Sequence, residues 1–109
     1  MQILTDGKGK QFCVFVFSQT SEGAYSRMFA PEHGVAEDAA TGSSTGPLAA
    51  FMIKHGLLTG AANTSFVSEQ GTKMGRRSFL HVRVGSKNQG EGIYVGGHVT
   101  AIAEGRMRL

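Results

Sequence analysis

Short stretches of this chain alternate apolar and polar side chains with a period of two, which is typical of β-strands. The clearest stretch is residues 78–84, where Leu80 and Val82 fall on one side and His81 and Arg83 on the other. Sixteen glycines punctuate the sequence and separate the stretches. On this pattern the sequence predicts a turn at 87–90 and strands at residues 11–18, 25–30, 64–70, 78–84, 93–97, 99–103 and 105–109.

One segment instead repeats its apolar residues at helical spacing. Leu48, Phe51 and Met52 share one face and predict a helix over about residues 44–55. Capping chemistry sets its expected ends: an N-cap at Ser43, Ser44 or Thr45, Pro47 in the first turn, and Gly56 directly after the last turn.

The order of elements indicates an α+β domain, with a mostly antiparallel or mixed sheet wrapped on one central helix. A chain of 109 residues is the size of one domain, and we predict that residues 1–109 form it. The hydrophobic fraction of 40% is that of a globular protein. The charged fraction of 17% is below the usual value of about 25%, which fits a face buried against a partner.

Charge and cysteine content narrow the function classes. The net charge is +3, but the Lys and Arg residues are scattered, so we expect no nucleic-acid partner. Cys13 is the only cysteine, and its apolar neighbours predict a buried packing thiol. No stretch has the layout of a signal peptide or the length of a membrane span, so we expect no membrane association and a cytoplasmic location.

Residues 31–46 carry the candidate chemistry. Two adjacent carboxylates, Glu37 and Asp38, precede a small-residue turn that opens the predicted helix. The first amides of a helix lack partners and attract anions, and Gly42 lets a ligand approach the backbone closely. A substrate carboxylate bound there would lie beside Asp38, which can move a proton at a neighbouring carbon. On composition alone, an ordinary acidic capping loop is the more common explanation of the same residues.

Three blocks of sequence, in order, resemble PhzF-like phenazine-biosynthesis isomerases of the diaminopimelate-epimerase fold superfamily. The resemblance covers nearly the whole chain, from about residue 11 onward. It is specific, because chance recurrence of all three blocks in order is improbable. The blocks are Arg27-Met28-Phe29-Ala30-Pro31 followed by Glu37-Asp38-Ala39-Ala40-Thr41-Gly42-Ser43; Glu69-Gln70-Gly71 followed by Met74-Gly75-Arg76-Arg77-Ser78; and Val95-Gly96-Gly97 ahead of Gly105-Arg106-Met107-Arg108-Leu109.

The resemblance implies a fold, a chemistry and a set of site residues. Members of the family have two similar domains, each a curved sheet around a central helix, and use no metal or organic cofactor. By motif position Asp38 is the catalytic carboxylate of the second domain, and Thr41, Gly42 and Ser43 are the substrate-binding residues. The family's principal acid–base Glu belongs to a first domain that has no counterpart here. Ala39 and Arg77 stand where the family usually has Pro.

The remaining polar candidates favour structural roles. We expect His33 to be a solvated loop residue and His55 to lie in the last helical turn, where a cation suits the helix dipole. His81 and His98 have no metal-ligand spacing, and we predict no metal site. Arg76 and Arg77 are expected to be surface turn residues, although either can bind a substrate anion.

Two functions and a third possibility follow from these residues. Two copies of the chain can form a homodimer that imitates the two-domain enzyme, with two Asp38 carboxylates facing one cleft. Alternatively, the chain is a non-catalytic split or decayed half that binds a small carboxylate or complements a separate first-domain chain. It is also possible that the sequence is a portion of a longer protein.

Overall fold

The fold is described from a computed structural model. The structure describes residues 7–9, 12–61, 63–85 and 92–109. These residues form two short 3-10 helices, Pro31–His33 and Thr72–Met74, and the elements β1 (Val14–Thr20), β2 (Gly23–Ala30), β3 (Val35–Asp38), α1 (Gly42–Lys54), β4 (Ser65–Gln70), β5 (Ser78–Val84) and β6 (Ile93–Gly96). The strands predicted at 64–70, 78–84 and 93–97 are confirmed to within one residue.

The strands form one mixed sheet in the order β1-β2-β4-β5-β6, with β3 paired to the far end of β2. Strands β2 and β4 run parallel, and every other pair in the described sheet is antiparallel. A parallel pair needs a long crossover, which here contains α1. The predicted α+β class with a mixed sheet is confirmed.

Helix α1 packs on one face of the sheet and closes the core. Alternation along the strands places the buried side chains on this face, as Leu80 and Val82 of β5 illustrate. Met52 is 1% exposed, and burial of such a side chain contributes about 1.5–3 kcal/mol. The core cluster consists of Ala24, Leu48, Ala49, Met52, Phe66 and Val82, with Phe15, Phe17, Leu58, Ile93 and Val95 packed around it.

The predicted start of the helix is wrong. Helix α1 begins at Gly42 with Thr41 as its N-cap, so the hydroxyls of residues 43–45 do not cap it. Pro47 is consequently the sixth helical residue, in the second turn rather than the first. The start is early because the Thr41 carbonyl accepts hydrogen bonds from the amides of Ser44 and Thr45. The predicted end is confirmed, since Gly56 follows the C-cap residue with φ 72°.

Strand β3 lies inside the segment that the sequence predicted to be loop. It pairs antiparallel with β2, matching Met28 with Asp38 and Ala30 with Val35. Four residues are too few to establish a period of two, so the pairing becomes visible only in the folded chain. The consequence is that Asp38 lies at the end of a sheet strand, where its backbone position is fixed.

The strands predicted at 99–103 and 105–109 do not form. Residues 97–109, here called the C-terminal arm, have no regular structure, and Val99 and Met107 are 91% and 85% exposed. A strand needs a neighbour to hydrogen-bond, and the described sheet brings none to this segment. The local pattern was that of a strand, but the pairing partner is missing.

Cys13 is exposed, not buried, because it precedes the first paired residue of β1. Gln11, where the first predicted strand began, and the turn predicted at 87–90 lie outside the described residues. Among the described residues no helix has the length and apolar character needed to cross a membrane.

Candidate functional site

The carboxylate of Asp38 lies against the start of helix α1. Asp38 is the last residue of β3, and Thr41 is the N-cap of α1, so a two-residue turn separates them. The Thr41 hydroxyl donates a hydrogen bond of 2.5 Å to Asp38 Oδ2. A hydrogen bond this short fixes the orientation of the Asp38 carboxyl group. Asp38 is half-buried, whereas Thr41 is only 8% exposed.

The side chain of Gln70 holds this turn from below. Gln70 ends β4 and is 0% exposed. Its Oε1 accepts from the Thr41 amide at 3.1 Å, and its Nε2 donates to the Asp38 carbonyl at 3.0 Å and to Thr41 Oγ1 at 2.9 Å. Both donors and the acceptor of the amide are therefore used. Because Gln70 supplies a proton to Thr41 Oγ1, the hydroxyl proton of Thr41 points at Asp38.

The carbonyl of Thr41 completes the network on the helix side. It accepts from the Thr45 hydroxyl at 2.7 Å and from the Thr45 amide at 3.1 Å. Thr45 is fully buried, so its hydroxyl needs this partner. Each polar group of Thr41 is thus bonded within the protein, and the described residues contain no buried side-chain N or O atom without a partner.

Gly71 lets the end of β4 approach the Asp38 turn. It is buried and has φ 79°, a left-handed conformation that suits glycine. A Cβ atom at this position would lie 2.7 Å from the carbonyl oxygen of Ala39 and closer still to that of Arg76. Gln70 and Gly71 therefore both support the Asp38 turn. Gln70 holds it by hydrogen bonds, and Gly71 allows the close approach because it has no side chain.

Of the two adjacent carboxylates, Glu37 is committed to an ion pair. Arg27 Nε and Nη2 donate to its two oxygens at 2.9 and 3.1 Å. The bidentate hydrogen bond with Arg27 lowers the pKa of Glu37, and the same bond raises the pKa of Arg27. The guanidinium also lies 4.9 Å from the ring centroid of Phe29. Arg27 thus engages Glu37, while Asp38 is engaged by the Thr41 hydroxyl.

An open depression of about 510 Å³ lies beside the start of α1. Gly42 forms one wall, and Arg77, Gly96, Gly97 and His98 contribute to the others. The amides of Ser44 and Thr45 already donate to Thr41, so those of Gly42 and Ser43 are left at the helix end. The helix dipole, these amides and the guanidinium of Arg77 favour an anion in this depression.

The residues predicted from sequence to form the site are neighbours in the fold but have different environments. Gly42 lines the depression, and Ser43 is exposed as the second helical residue. Thr41 lies beneath them with its hydroxyl committed to Asp38. The side chain of Asp38 borders the turn and is not among the residues that line the depression.

Sequence reasoning missed the function of Gln70. It belongs to the Glu69-Gln70-Gly71 block, but nothing local shows that its side chain reaches 29 residues back to Thr41. The available signal was a long amide side chain placed before a glycine at the end of a strand. His33, Arg76 and Arg77 are exposed surface residues, as predicted, and His55 is the exposed C-cap residue of α1. His81 and His98 are exposed as well.

Within the described ranges, no three His, Cys, Asp or Glu side chains come together in a way that would hold an ion. His81 and His98 contact each other edge to face, with ring centroids 6.0 Å apart, at the base of the C-terminal arm.

Comparison with known proteins gives one consistent family. The sequence model of the family described as phenazine biosynthesis-like protein matches residues 2–105. A trans-2,3-dihydro-3-hydroxyanthranilate isomerase of Pseudomonas aeruginosa is 40% identical over 85 residues, which are 77% of this chain and 30% of that protein. Uncharacterized isomerases of Clostridium acetobutylicum and Escherichia coli are 37% and 36% identical, over 64% and 65% of this chain and 25% of each protein. The chain spans between a quarter and a third of the length of these relatives.

Proposed function

Because this chain belongs to the family of phenazine biosynthesis-like proteins, we propose that it is an isomerase-type domain that moves a proton on a small carboxylate substrate. The observation that carries the proposal is the hydrogen bond from Thr41 to Asp38 at the start of α1. It places an oriented carboxylate next to a helix end that favours anions. Relatives named as isomerases support the class of reaction.

We assign the substrate carboxylate to the amides of Gly42 and Ser43. These amides precede the first intrahelical hydrogen bonds and point out of the helix. Anions at such a position gain typically 0.3–1 kcal/mol from the dipole, in addition to the hydrogen bonds themselves. Arg77 on the wall of the depression adds a positive charge near the same point. Thr41 holds Asp38, and Gly42 and Ser43 hold the substrate.

Asp38 is then the group that exchanges a proton. Thr41 engages Oδ2, so we assign the transferred proton to Oδ1. As a base, Asp38 would take a proton from a carbon near the bound carboxylate, and as an acid it would return one. Gln70 is a positioning residue, since it reaches the reaction only through Thr41 and the Asp38 backbone.

Isomerisation also needs a second acid–base group, which we assign to a partner. In a homodimer, the second copy would present its own Asp38 across the cleft. Two facing carboxyl groups can share one proton, so that one acts as acid and the other as base. A separate chain resembling the first domain of the relatives would serve the same purpose with its own carboxylate.

A second candidate function is binding without turnover. The Asp38 turn offers one acid–base group beside an anion site, and the chain covers only 30% of the Pseudomonas aeruginosa isomerase. A half-site of this kind would bind a small carboxylate and remain inactive until a complementary chain arrives.

Proton exchange distinguishes the two functions. The chain is incubated in D₂O with trans-2,3-dihydro-3-hydroxyanthranilate, and deuterium uptake at carbon is followed by NMR. The isomerase is supported if the wild type exchanges the proton and Asp38→Asn does not. The matched variant Glu32→Gln, at an exposed position, should retain the exchange. Saturable binding of the probe without exchange supports the binding function instead. If the probe is neither exchanged nor bound, small carboxylates of its class are excluded as substrate and as ligand, which contradicts both proposed functions.

A further inference from the structure

The C-terminal arm has the sequence of a half-buried strand but pairs with no strand of the described sheet. Its odd-numbered positions are apolar or small, and its even-numbered positions are mostly polar, with Glu104, Arg106 and Arg108 among them. In an extended chain these two sets lie on opposite sides. Val99 and Met107, both on the apolar side, are nevertheless 91% and 85% exposed. A segment that leaves both its apolar side chains and its backbone groups in water is suited to pair with another strand.

The surface area of the chain is larger than that of a typical folded monomer. It exposes 8051 Å², whereas a folded monomer of 11.5 kDa exposes about 5,800 Å². Its radius of gyration is 16.3 Å, against about 13 Å expected for this length. The excess area of one chain is larger than the roughly 800 Å² that each partner buries in a stable interface of standard size.

Strand β1 offers a receiving edge on the same chain. It lies at one end of the described sheet, and its seven residues contain no charge and no proline. Its register with β2 runs from Val14 to Thr20 without a bulge. Natural edge strands normally carry a charge, a proline or a bulge, which prevents pairing with another chain. Within the described sheet, the outer edge of β1 therefore has none of these protections.

Exposed apolar groups flank this edge on the helix side. The ring of Phe17 in β1 meets the ring of Phe51 in α1 edge to face, with centroids 5.8 Å apart. Phe51 is 47% exposed and Leu57 38% exposed. Gln19 of β1 donates to the Leu57 carbonyl at 3.1 Å, so Leu57 also lies beside the edge. A strand added outside β1 would cover both side chains.

We propose that the C-terminal arm of one copy pairs as a strand with the β1 edge of a second copy, and that the exchange is reciprocal. The chain itself carries both complementary parts, an unpaired strand and an unprotected edge, so a second copy is the partner that the structure favours. A two-fold dimer satisfies both arms at once. Arm and edge would form main-chain hydrogen bonds, and the apolar side of the arm would cover Phe51 and Leu57. The exchange does not depend on proton transfer at Asp38.

The first test is the dissociation constant of the dimer, measured by analytical ultracentrifugation of the full chain. Val99→Asp places a charge on the apolar side of the arm and is expected to weaken the dimer at least about tenfold. Thr100→Asp places the same charge on the opposite side and should change the constant by less than about threefold. Both residues are exposed and outside the core, so neither change threatens folding. A wild type that remains monomeric, or equal effects of the two variants, overturns the proposal.

The second test locates the arm directly. Cys13 is exposed and precedes β1, so a nitroxide attached to it marks the receiving edge. Nitroxide-labelled chain at natural isotope abundance is mixed with ¹⁵N-enriched chain that carries no nitroxide. The relaxation of the ¹⁵N-bound amide protons is then measured. Enhanced relaxation of arm amides in the mixed dimer is expected, because it reports only contacts between copies. A dimer in which the arm amides relax as in the nitroxide-free control overturns the proposal, whatever the outcome of the exchange assay.

Discussion

Gln70 and Thr41 are joined by two hydrogen bonds, one to the backbone amide at 3.1 Å and one to the hydroxyl at 2.9 Å. The pair connects the end of β4 with the N-cap residue of α1. The Thr41 hydroxyl in turn orients Asp38 through its own hydrogen bond. The position of the proposed acid–base group therefore depends on a side chain that touches neither substrate nor Asp38 Oδ2. Buried networks of this kind stabilise only when every member is satisfied.

Replacing Gln70 by Leu should destabilise the protein. The change leaves the buried Thr41 amide and the partly buried Asp38 carbonyl without these partners, and the expected loss is about 2–4 kcal/mol in the free energy of unfolding. Urea denaturation measures it. Gln19→Leu is the matched control, since Gln19 is exposed and makes a single side-chain bond; its change should stay within about 1 kcal/mol. Equal losses in the two variants would contradict the network.

Replacing Gly71 by Ala should also destabilise the protein, for a steric reason. The left-handed backbone costs a non-glycine residue roughly 1–2 kcal/mol, and contact of the new Cβ with the Ala39 and Arg76 carbonyls adds about 1–3 kcal/mol. Gly75→Ala is the control, because Gly75 has φ 77° but nothing within 4 Å of its Cβ position. That variant should lose only the backbone contribution. Thermal or urea unfolding showing Gly75→Ala to be as costly as Gly71→Ala would disprove the close approach.

The Arg27–Glu37 ion pair predicts a pH dependence of stability. Arg27 lowers the pKa of Glu37 from its ordinary value of 4.5. A carboxyl whose pKa is lowered in the folded state contributes stability that is fully present above its unfolded pKa and is lost as pH falls through the folded pKa. Glu37→Gln should therefore have a lower Tm than the wild type at neutral pH, by a small amount because the pair is partly exposed.

The difference in Tm between wild type and Glu37→Gln should shrink steadily once the pH falls below the ordinary pKa of the carboxyl group. Glu32→Gln serves as control, since Glu32 is exposed and lies outside this pair. A gap that persists undiminished into strong acid would show that the substitution acts by something other than the charge of Glu37.

Local pattern was enough to predict most of the scaffold. Strand β5 alternates buried and exposed residues throughout and matches the predicted range, because each of its faces has one environment. The helix was found for the same reason, but its start was not, because the Gln70 contact rather than local capping holds Thr41. Strand β3 was missed because its pairing with β2 is a tertiary contact.

The candidate site was predictable only in part. Asp38, Thr41, Gly42 and Ser43 are consecutive or nearly so, and a motif in one loop reveals them together. Gln70 and Gly71 belong to a different strand and act through contacts that close only on folding. The arm shows the opposite error, since its pattern predicts a strand although no strand of the described sheet pairs with it.

The parallel pairing of β2 with β4 has a consequence for the order in which the protein forms. Strands β1 and β2 meet across a tight turn at residues 21–22, so their pairing is local and fast. Pairing Gly23 with Val67 closes a much longer loop. The entropic cost of closing that loop opposes the pairing until further contacts form. During synthesis, a chain that has emerged only through Lys54 contains the hairpin and the helix, but not the residue that fixes Asp38. The hydrogen-bonded Asp38 turn is therefore among the last features of this molecule to appear, and the hairpin is among the first.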